Sequence, residues 1–239
     1  DCGTGAGSCP DGNLGSDFWQ AVAITFFFAV VTVAIEVVLG LWMATVMNRT
    51  FAGRSLLRAS VLIPWAIPTA VTAKLWFFIF AENGIANKML GTDIAWTTDP
   101  WASRFAVILA DVWKTTPFMA LLILAGLQLI PSDVYEAARV DGASKWKQFV
   151  HITLPMLGPV LLVVSVITTA GYFQLFAEPY VMTRGDPLQS TVSVLYFMFE
   201  EGFRWWNLGR ASAVAFMLFA IVLAITGLLL RLGRARSML

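Results

Sequence analysis

The chain has few of the residues on which enzyme active sites and metal centres depend. Its 239 residues include one histidine, His151, and two cysteines, Cys2 and Cys9. It contains no GxSxG, HExxH or Walker motif, so it supplies neither a nucleophile with its base nor a set of metal ligands nor a phosphate loop. We therefore expect no enzyme, no metal and no cofactor in this chain, and any ATP-driven work would depend on a partner.

Charged residues are also scarce. They make up 13% of the chain against 58% hydrophobic residues, and the mean hydropathy is +0.74, whereas roughly a quarter of the residues of a soluble domain are charged. The net charge of +1 gives no reason to expect nucleic acid as a partner. This composition predicts an integral membrane protein.

Long stretches with few charges predict five membrane-spanning helices. A helix needs about 20 apolar residues to cross the hydrocarbon core. The stretches are 17–49, 58–82, 104–133, 152–177 and 211–230. They lack the strict polar alternation of barrel strands. The predicted fold is an all-α, polytopic membrane helix bundle with ordinary spans and no re-entrant segment.

The loops between these spans differ in charge. Three of them, 48–58, 131–151 and the tail after Leu230, contain nine basic and three acidic residues, whereas the alternate set contains five basic and ten acidic residues. The positive-inside rule assigns the basic set to the cytoplasm. The prediction is an extracytoplasmic N-terminus and a cytoplasmic C-terminus.

An extracytoplasmic N-terminus predicts an earlier span that delivered it across the membrane. Residues 1–16 are then the remains of an extracytoplasmic loop, 17–232 the membrane domain and 233–239 a cytoplasmic tail. Cys2 and Cys9 both lie in the first segment. On the oxidising side they form a disulfide or remain as two free thiols, and the sequence leaves both alternatives open.

The loop 131–151 contains signals for short exposed helices. Pro131-Ser132 favours a helix start, and Asp141-Gly142 favours a turn that ends this helix. A second helical stretch, about 144–150, leads into the next span. The first helix has a small, partly apolar face: Val134, Ala137, Ala138 and Val140. This face suits a docking element, and the alternative is an amphipathic loop on the membrane surface.

The same loop contains a spaced motif. Glu136-Ala137-Ala138 is followed, after three residues, by Gly142 and, after nine more, by Ile152, one residue and Leu154-Pro155. The pattern resembles the EAA signature of permease subunits of binding-protein-dependent ABC importers, with every spacing intact. Further segments resemble the maltose-type carbohydrate branch: Trp113-Lys114 with Pro117, and residues 126–131, 178–183 and 190–209. The resemblance covers residues 17–232.

The resemblance implies a six-helix permease core, of which this chain would hold five spans, and a subunit of the first type. It implies that residues 136 to about 148 form a coupling helix in a groove of a cytoplasmic ATPase. The implied coupling residues are Glu136, Ala137, Ala138, Asp141, Gly142 and Ala143. One departure is the sequence TRGDP at 183–187, where the family commonly has a Gly-rich turn.

The implied assembly is a sugar importer in the plasma (inner) membrane of a bacterium or archaeon. Its other parts would be a second permease subunit in a heterodimer, ATPase subunits that bind ATP and Mg²⁺, and an extracytoplasmic solute-binding protein. The runner-up function is a stand-alone secondary transporter or channel for a small polar solute, which would need its own coupling-ion site.

Ionisable residues inside predicted spans are candidates for the translocation path, because a charge there is costly. Asp111 and Lys114 are three residues apart, so they either neutralise each other or contact substrate. Glu36 has Thr32 one turn earlier as a candidate partner, with another helix as the alternative. Lys74 is expected to extend towards the membrane surface.

Two further regions combine aromatic and polar residues. Gln174 and Glu178 are expected on one helical face close to Tyr172, which suits either a sugar path or helix packing. The segment 191–206 ends in Phe203, Arg204, Trp205 and Trp206. It is either an interfacial aromatic belt or, additionally, a docking surface for the solute-binding protein that the resemblance implies.

Overall fold

A computed structural model describes residues 14–237, of which none is in a β-strand. The first helices are α1 (Leu14–Met47), α2 (Arg54–Val61), α3 (Ile63–Ala66), α4 (Thr69–Ile79), α5 (Ile85–Leu90) and α6 (Pro100–Gln128). They are followed by α7 (Ser132–Val140), α8 (Lys145–Gln148), α9 (Leu154–Met156), α10 (Gly158–Tyr172), α11 (Val194–Phe199) and α12 (Leu208–Ser237). Three π-helical segments, π1 (Phe149–Thr153), π2 (Pro179–Thr183) and π3 (Glu200–Arg204), continue α8, precede α11 and follow α11. The all-α prediction is confirmed for the described residues, and Cys2 and Cys9, for which the sequence leaves a disulfide and two free thiols open, lie outside them.

Three helices, α1, α6 and α12, are long and apolar enough to cross a membrane. Two further candidate spans are bent pairs: residues 54–66 with 69–79, at 88°, and residues 145–156 with 158–172, at 61°. The count of five spans is reached when each bent pair is one span. The breaks in the spans between Arg58 and Glu82 and over 152–177 were not predicted from the sequence.

Prolines account for both interruptions. Ile67 has an extended backbone (φ −73°, ψ 132°) immediately before Pro68, as the residue preceding a proline prefers. The second break falls at Leu157, between Pro155 and Pro159, which lack the amide hydrogens that a continuous helix needs there. The connection from the 131–151 loop into α10 is therefore a bend.

The helix termini follow local chemistry. The Asp99 side chain accepts hydrogen bonds from the backbone amides of Trp101 (3.0 Å) and Ala102 (2.8 Å), and Pro100 occupies the first position of α6. At the other end of the chain α12 continues to Ser237. Most of the predicted tail after residue 232 is thus part of this helix.

The core lies along α1 and α6, with α10 packed against both. One cluster contains Phe28, Ile108 and Phe173, and a second contains Met119 and Leu157. The helices α6 and α10 approach closely at Gly126, where an added Cβ would lie 2.8 Å from Val160 Cγ2. A glycine is required there by space, since any side chain would push the two helices apart.

The segment between α10 and α12 forms an ordered layer against the ends of two long helices. Val194 and Tyr196 of α11 pack with Phe18 of α1 and Val214 of α12. The Val194 backbone amide donates to Thr25 Oγ1 of α1 at 3.0 Å. The predicted extracytoplasmic loop 178–210 is therefore a folded part of the bundle.

Candidate functional site: an exposed loop and a buried polar cluster

The loop that connects α6 to α10 projects from the bundle. None of the residues of α7 or α8 is buried. Val140 is 88% exposed and Trp146 is 72% exposed. Apolar side chains at this exposure lie on a surface that the described chain does not cover. The loop thus has the exposure of a docking element.

Gly142 determines how α7 ends. Its φ of +79° is in the left-handed region, which side chains other than Gly, Asn and Asp rarely adopt. The Gly142 amide donates to Arg139 O at 3.1 Å, and the Ala143 amide donates to Ala138 O at 2.8 Å. These two bonds form a Schellman motif, which satisfies the last carbonyls of α7. The predicted turn at Asp141-Gly142 is confirmed.

Side chains connect the loop to the following span. The hydroxyls of Tyr135 in α7 and Thr153 in π1 are 2.9 Å apart. Gln148 Nε2 donates to Ala143 O at 2.8 Å. The two helices of the loop therefore hold a defined orientation relative to each other and to the start of the bent span. A force on α7 has a direct mechanical route into that span.

The predicted coupling residues all lie on this loop. Ala137 and Ala138 are in the middle of α7, and Asp141 and Ala143 flank the left-handed Gly142. Glu136 Oε1 lies 3.6 Å from Arg139 Nη2, with both side chains largely exposed. An exposed pair of this kind contributes at most about 1 kcal/mol, so Glu136 is free to pair with a partner.

Inside the bundle, polar side chains of three helices meet. The Tyr172 hydroxyl of α10 contacts Glu36 Oε1 of α1 at 2.9 Å and also Asp111 Oδ2 of α6. Thr115 Oγ1 of α6 contacts the same Glu36 oxygen. Glu36, Asp111 and Tyr172 are all buried. The structure therefore brings together three of the predicted path residues and adds Thr115, which the sequence analysis missed.

The bonds of this cluster resolve two alternatives. Glu36 pairs across helices, and Thr32 is not its partner. Because a hydroxyl carries one proton, Tyr172 donates to one carboxyl group at a time. The other oxygen of Glu36, Oε2, is buried without a hydrogen-bond partner. The cluster joins α1, α6 and α10 and leaves unused hydrogen-bonding capacity within the membrane domain.

Lys114 has a role that its spacing from Asp111 does not predict. Its Nζ donates to Ile67 O at 2.5 Å, the carbonyl at the break between α3 and α4. Within residues 14–237 the direct ion pairs do not include Asp111 with Lys114, so any neutralisation between the two acts without direct contact, and contact of the pair with substrate stays a prediction. Lys114 lies at the centre of α6. Its ammonium group binds the carbonyl at the break in the neighbouring span.

The remaining predicted path residues are separated. α10 ends at Tyr172, residues 173–174 form a turn, and residues 175–176 are in no regular element. Gln174 is exposed and Glu178 is buried, so the expectation of one shared helical face is wrong. Lys74 is exposed, and its Nζ lies 4.5 Å from the centre of the Phe77 ring, in agreement with the prediction that it extends out of the bundle.

An aromatic cluster lies beyond the end of α10. Phe176 stacks on Tyr180 with ring centres 5.0 Å apart, and Phe199 stacks on Phe203 at 5.1 Å. The sequence TRGDP at 183–187 differs from the Gly-rich turn that the resemblance implies. The turn forms around Gly185, whose φ is +83° and which lies against Val192 and Tyr196. The turn thus forms with one glycine where the family commonly has several.

Asn87 is a further residue without a signal in the sequence motifs. Its side chain is buried, donates to Glu82 O and Ile94 O, and accepts from the Ile94 amide and Trp96 Nε1. It organises the loop between α4 and α6. In the described range no three His, Cys, Asp or Glu side chains are grouped so as to hold a metal ion.

The fold and the two sites define a class: a helical membrane protein with an exposed loop and a buried polar cluster that is shared by three helices. Residues 36–237 match the family described as "Binding-protein-dependent transport system inner membrane component". The chain belongs to this family. It is a multi-pass, non-enzymatic permease subunit of an ABC importer, which favours the first functional interpretation over a stand-alone transporter or channel.

Relatives and solved structures agree with this assignment. The chain is 42% identical over 228 residues to the trehalose/maltose transport system permease protein MalF of Thermococcus litoralis, covering 92% of this chain and 76% of the relative. It is 39% identical over 221 residues to the trehalose permease protein SugA of Mycobacterium tuberculosis, covering 92% and 71%. It is also 37% identical over 226 residues to the sulfoquinovosyl glycerol permease protein SmoG of Agrobacterium fabrum, covering 92% and 73%.

In fold the chain is similar to a chain of a bacterial ABC transporter that imports alginate. The TM-score is 0.82 at 21% identity, covering 92% of this chain and 79% of that chain. A further similar structure is the MetNI methionine transporter, with a TM-score of 0.68 at 20% identity, covering 93% and 95%. At these identities the likeness concerns the fold.

Proposed function

We propose that this subunit forms half of the translocation path of an ATP-driven sugar importer. Two of the relatives are named for transport systems of trehalose or maltose, which are neutral disaccharides, and the third is named for a glycoside that carries an anionic sulfonate group. The substrate class we infer is a glycoside, and a neutral sugar is favoured because the described polar cluster has more carboxyl groups than cations and would repel an anion.

The observation that carries the mechanism is the exposed loop of α7 and α8. Its small alanines, its rigid end at Gly142 and its link from Tyr135 to Thr153 suit a lever seated in a cleft. We infer that Glu136, Ala137, Ala138, Asp141, Gly142 and Ala143 contact a cytoplasmic ATPase subunit that binds ATP and Mg²⁺. The C-terminus lies on the same, cytoplasmic side.

Alternating access then depends on the bent spans. Movement of α7 passes through π1 into α10, whose last residue, Tyr172, contacts Glu36 and Asp111. We infer that Tyr172, Glu36, Asp111, Lys114, Gln174 and Glu178 lie along or beside the path. A rotation of α10 would change the contacts of Tyr172, so the cluster is placed to respond to the ATPase.

The full importer contains further proteins in this proposal. A second permease subunit completes the path as a heterodimer, and an extracytoplasmic solute-binding protein delivers the sugar to the side of residues 178–210. The ordered layer formed by α11 and π3 offers a surface for that delivery. The assembly lies in the plasma (inner) membrane of a bacterium or archaeon.

Co-purification tests the proposal directly. The tagged chain, expressed with its neighbouring genes, should retain an ATPase and a second permease subunit, and liposomes with all components should take up a glycoside only with ATP and the binding protein. Gly142→Val, which the left-handed backbone at this position does not suit, should remain inserted but lose ATP-coupled uptake. Uptake by the chain alone, or normal coupled uptake by the variant, would overturn the assignment.

A further inference from the structure

A groove opens on the bundle surface between α1, α11, π3 and α12. Its volume is about 370 Å³, within the range of about 300–1,000 Å³ of ligand pockets. Its floor is apolar: Phe18, Trp19, Phe197, Val214 and Met217. Trp19 is 66% exposed, so the groove is open along one side. It is separate from the polar cluster and from the α7–α8 loop.

The polar groups of the groove stand at one end. Glu201 of π3 and Arg210, in the first turn of α12, line it together with the floor. Glu201 Oε2 is 3.9 Å from Arg210 Nη1, is buried and has no hydrogen-bond partner. The Arg210 side chain remains 47% exposed. The groove therefore holds an acceptor without a donor beside a guanidinium that is still accessible.

The position of the groove identifies its surroundings. Met217 lies seven positions after Arg210 on α12, which is about 10 Å along the helix. The polar end is at the helix end that the charge distribution predicts to be extracytoplasmic, and Trp19 has the position of an interfacial aromatic residue. The groove thus runs from the headgroup level towards the acyl chains of the outer leaflet.

Charge complementarity selects the occupant. A sugar would find only two polar side chains on an apolar floor. An acyl chain matches the floor, and a phosphate matches Arg210. The buried Glu201 oxygen needs an N–H donor, which a primary ammonium has and a quaternary ammonium lacks. An anionic headgroup without an amine would be repelled by the carboxylates of Glu201 and the nearby Asp17.

We propose that this groove binds one phospholipid with a primary-ammonium headgroup, with its phosphate on Arg210 and its ammonium on Glu201. The inference does not depend on the proposed substrate or on coupling. Burial raises the pKa of Glu201, opposed by Arg210 and reinforced by Glu200 and Asp17. A carboxylate held in these surroundings is stabilised by an approaching cation.

Native mass spectrometry of the full chain, purified with the subunits that accompany it, tests the proposal. Phosphatidylethanolamine and phosphatidylcholine with identical acyl chains are offered in competition. We expect about a tenfold preference for phosphatidylethanolamine, the size of one charge-assisted hydrogen bond. Equal binding of the two lipids would overturn the proposal.

Variants separate the parts of the site. Glu201→Gln should abolish the preference for phosphatidylethanolamine. Arg210→Gln should weaken the binding of both lipids alike, because both carry the phosphate. Glu200→Gln is the matched control, since Glu200 pairs with Arg204 at 2.7 Å and does not line the groove; it should keep the preference. Loss of the preference in Glu200→Gln would contradict the assignment to Glu201.

The apolar end has its own test. Met217→Trp fills the floor from an exposed position and should reduce binding of both lipids without unfolding the chain. A cysteine placed at Met217 reports what covers the groove. If that cysteine cross-links to a second polypeptide and the wild-type complex shows no preference between the two lipids, the groove is a protein contact. This result would overturn the proposal.

Discussion

The α7–α8 loop and the Glu36–Asp111–Tyr172 cluster are held together in opposite ways. The loop has no buried residue in either helix and takes its shape from backbone hydrogen bonds at Gly142. The cluster is buried and is formed by side chains of three helices. The loop presents surface to something outside the chain, whereas the cluster is completed mostly from within. Substitutions in the two regions should therefore affect different measurements.

The largest effect on transport is expected at Gly142. Gly142→Val places a β-branched residue at φ +79°, where the left-handed conformation costs about 1–2 kcal/mol and the end of α7 would change. We expect uptake to fall more than about tenfold. The melting temperature of the subunit should fall only slightly, because the strain is confined to an exposed loop whose two helices contain no buried residue. Uptake in proteoliposomes and thermal unfolding provide the two measurements.

Gly142→Asn is the matched control for this change. Asparagine tolerates the left-handed region better than other residues with a side chain, so this variant should keep most of the uptake. Equal loss of uptake in both variants would show that the side chain at position 142 matters and that its backbone conformation does not. The loop would then depend on side chains, as the cluster does, and the two regions would not differ in the way proposed.

The cluster should respond first in stability. Tyr172→Phe removes the hydroxyl shared by Glu36 and Asp111 and leaves buried carboxyl oxygens without that donor. The expected loss is about 2 kcal/mol in the free energy of unfolding, the usual cost of an unsatisfied buried group. Denaturant unfolding in detergent measures it. Tyr180→Phe is the control, because Tyr180 is 42% exposed; equal losses in the two variants would contradict the role of the cluster.

Lys114 tests how the broken span is held. Lys114→Met removes the donor to Ile67 O, the carbonyl beside Pro68. We expect a loss of about 1–2 kcal/mol in the free energy of unfolding, accompanied by faster proteolysis between α3 and α4. Lys74→Met, on the broken span itself, is the comparison. Since Lys74 is exposed, its variant should be neutral, and a Lys114 variant that is equally neutral would remove the capping role.

The loop could be predicted closely from the sequence because its structure is local. Pro131, the spacing of the alanines and Gly142 act within a few residues, and each has its expected place in the structure. The cluster could not be predicted to the same degree. That Glu36 would meet Tyr172 across 136 positions depends on how three helices pack, and no periodicity within one helix contains this information.

The spans show the same division. Apolar length predicted all five, because the cost of a charge in hydrocarbon acts on each segment separately. The two bends were missed although their prolines are visible, since a proline in a membrane span is often tolerated. The hydrogen bond from Lys114 to the carbonyl of Ile67, which joins two different spans, adds to the effect of Pro68 in holding the first bend, and no pattern within one span predicts it.

The smallest expected effect joins the two regions. Tyr135→Phe removes the hydroxyl that contacts Thr153 Oγ1, the side-chain link from α7 into the bent span. The free energy of unfolding should fall by no more than about 1 kcal/mol, because the contact of the Tyr135 hydroxyl is only partly buried. The amount of substrate taken up per ATP hydrolysed should also fall. Thr153→Val should do the same, and the double variant should be no worse than either one, since one shared contact is lost only once. Additive losses would mean that Tyr135 and Thr153 act separately, and the loop would then transmit force through its backbone alone.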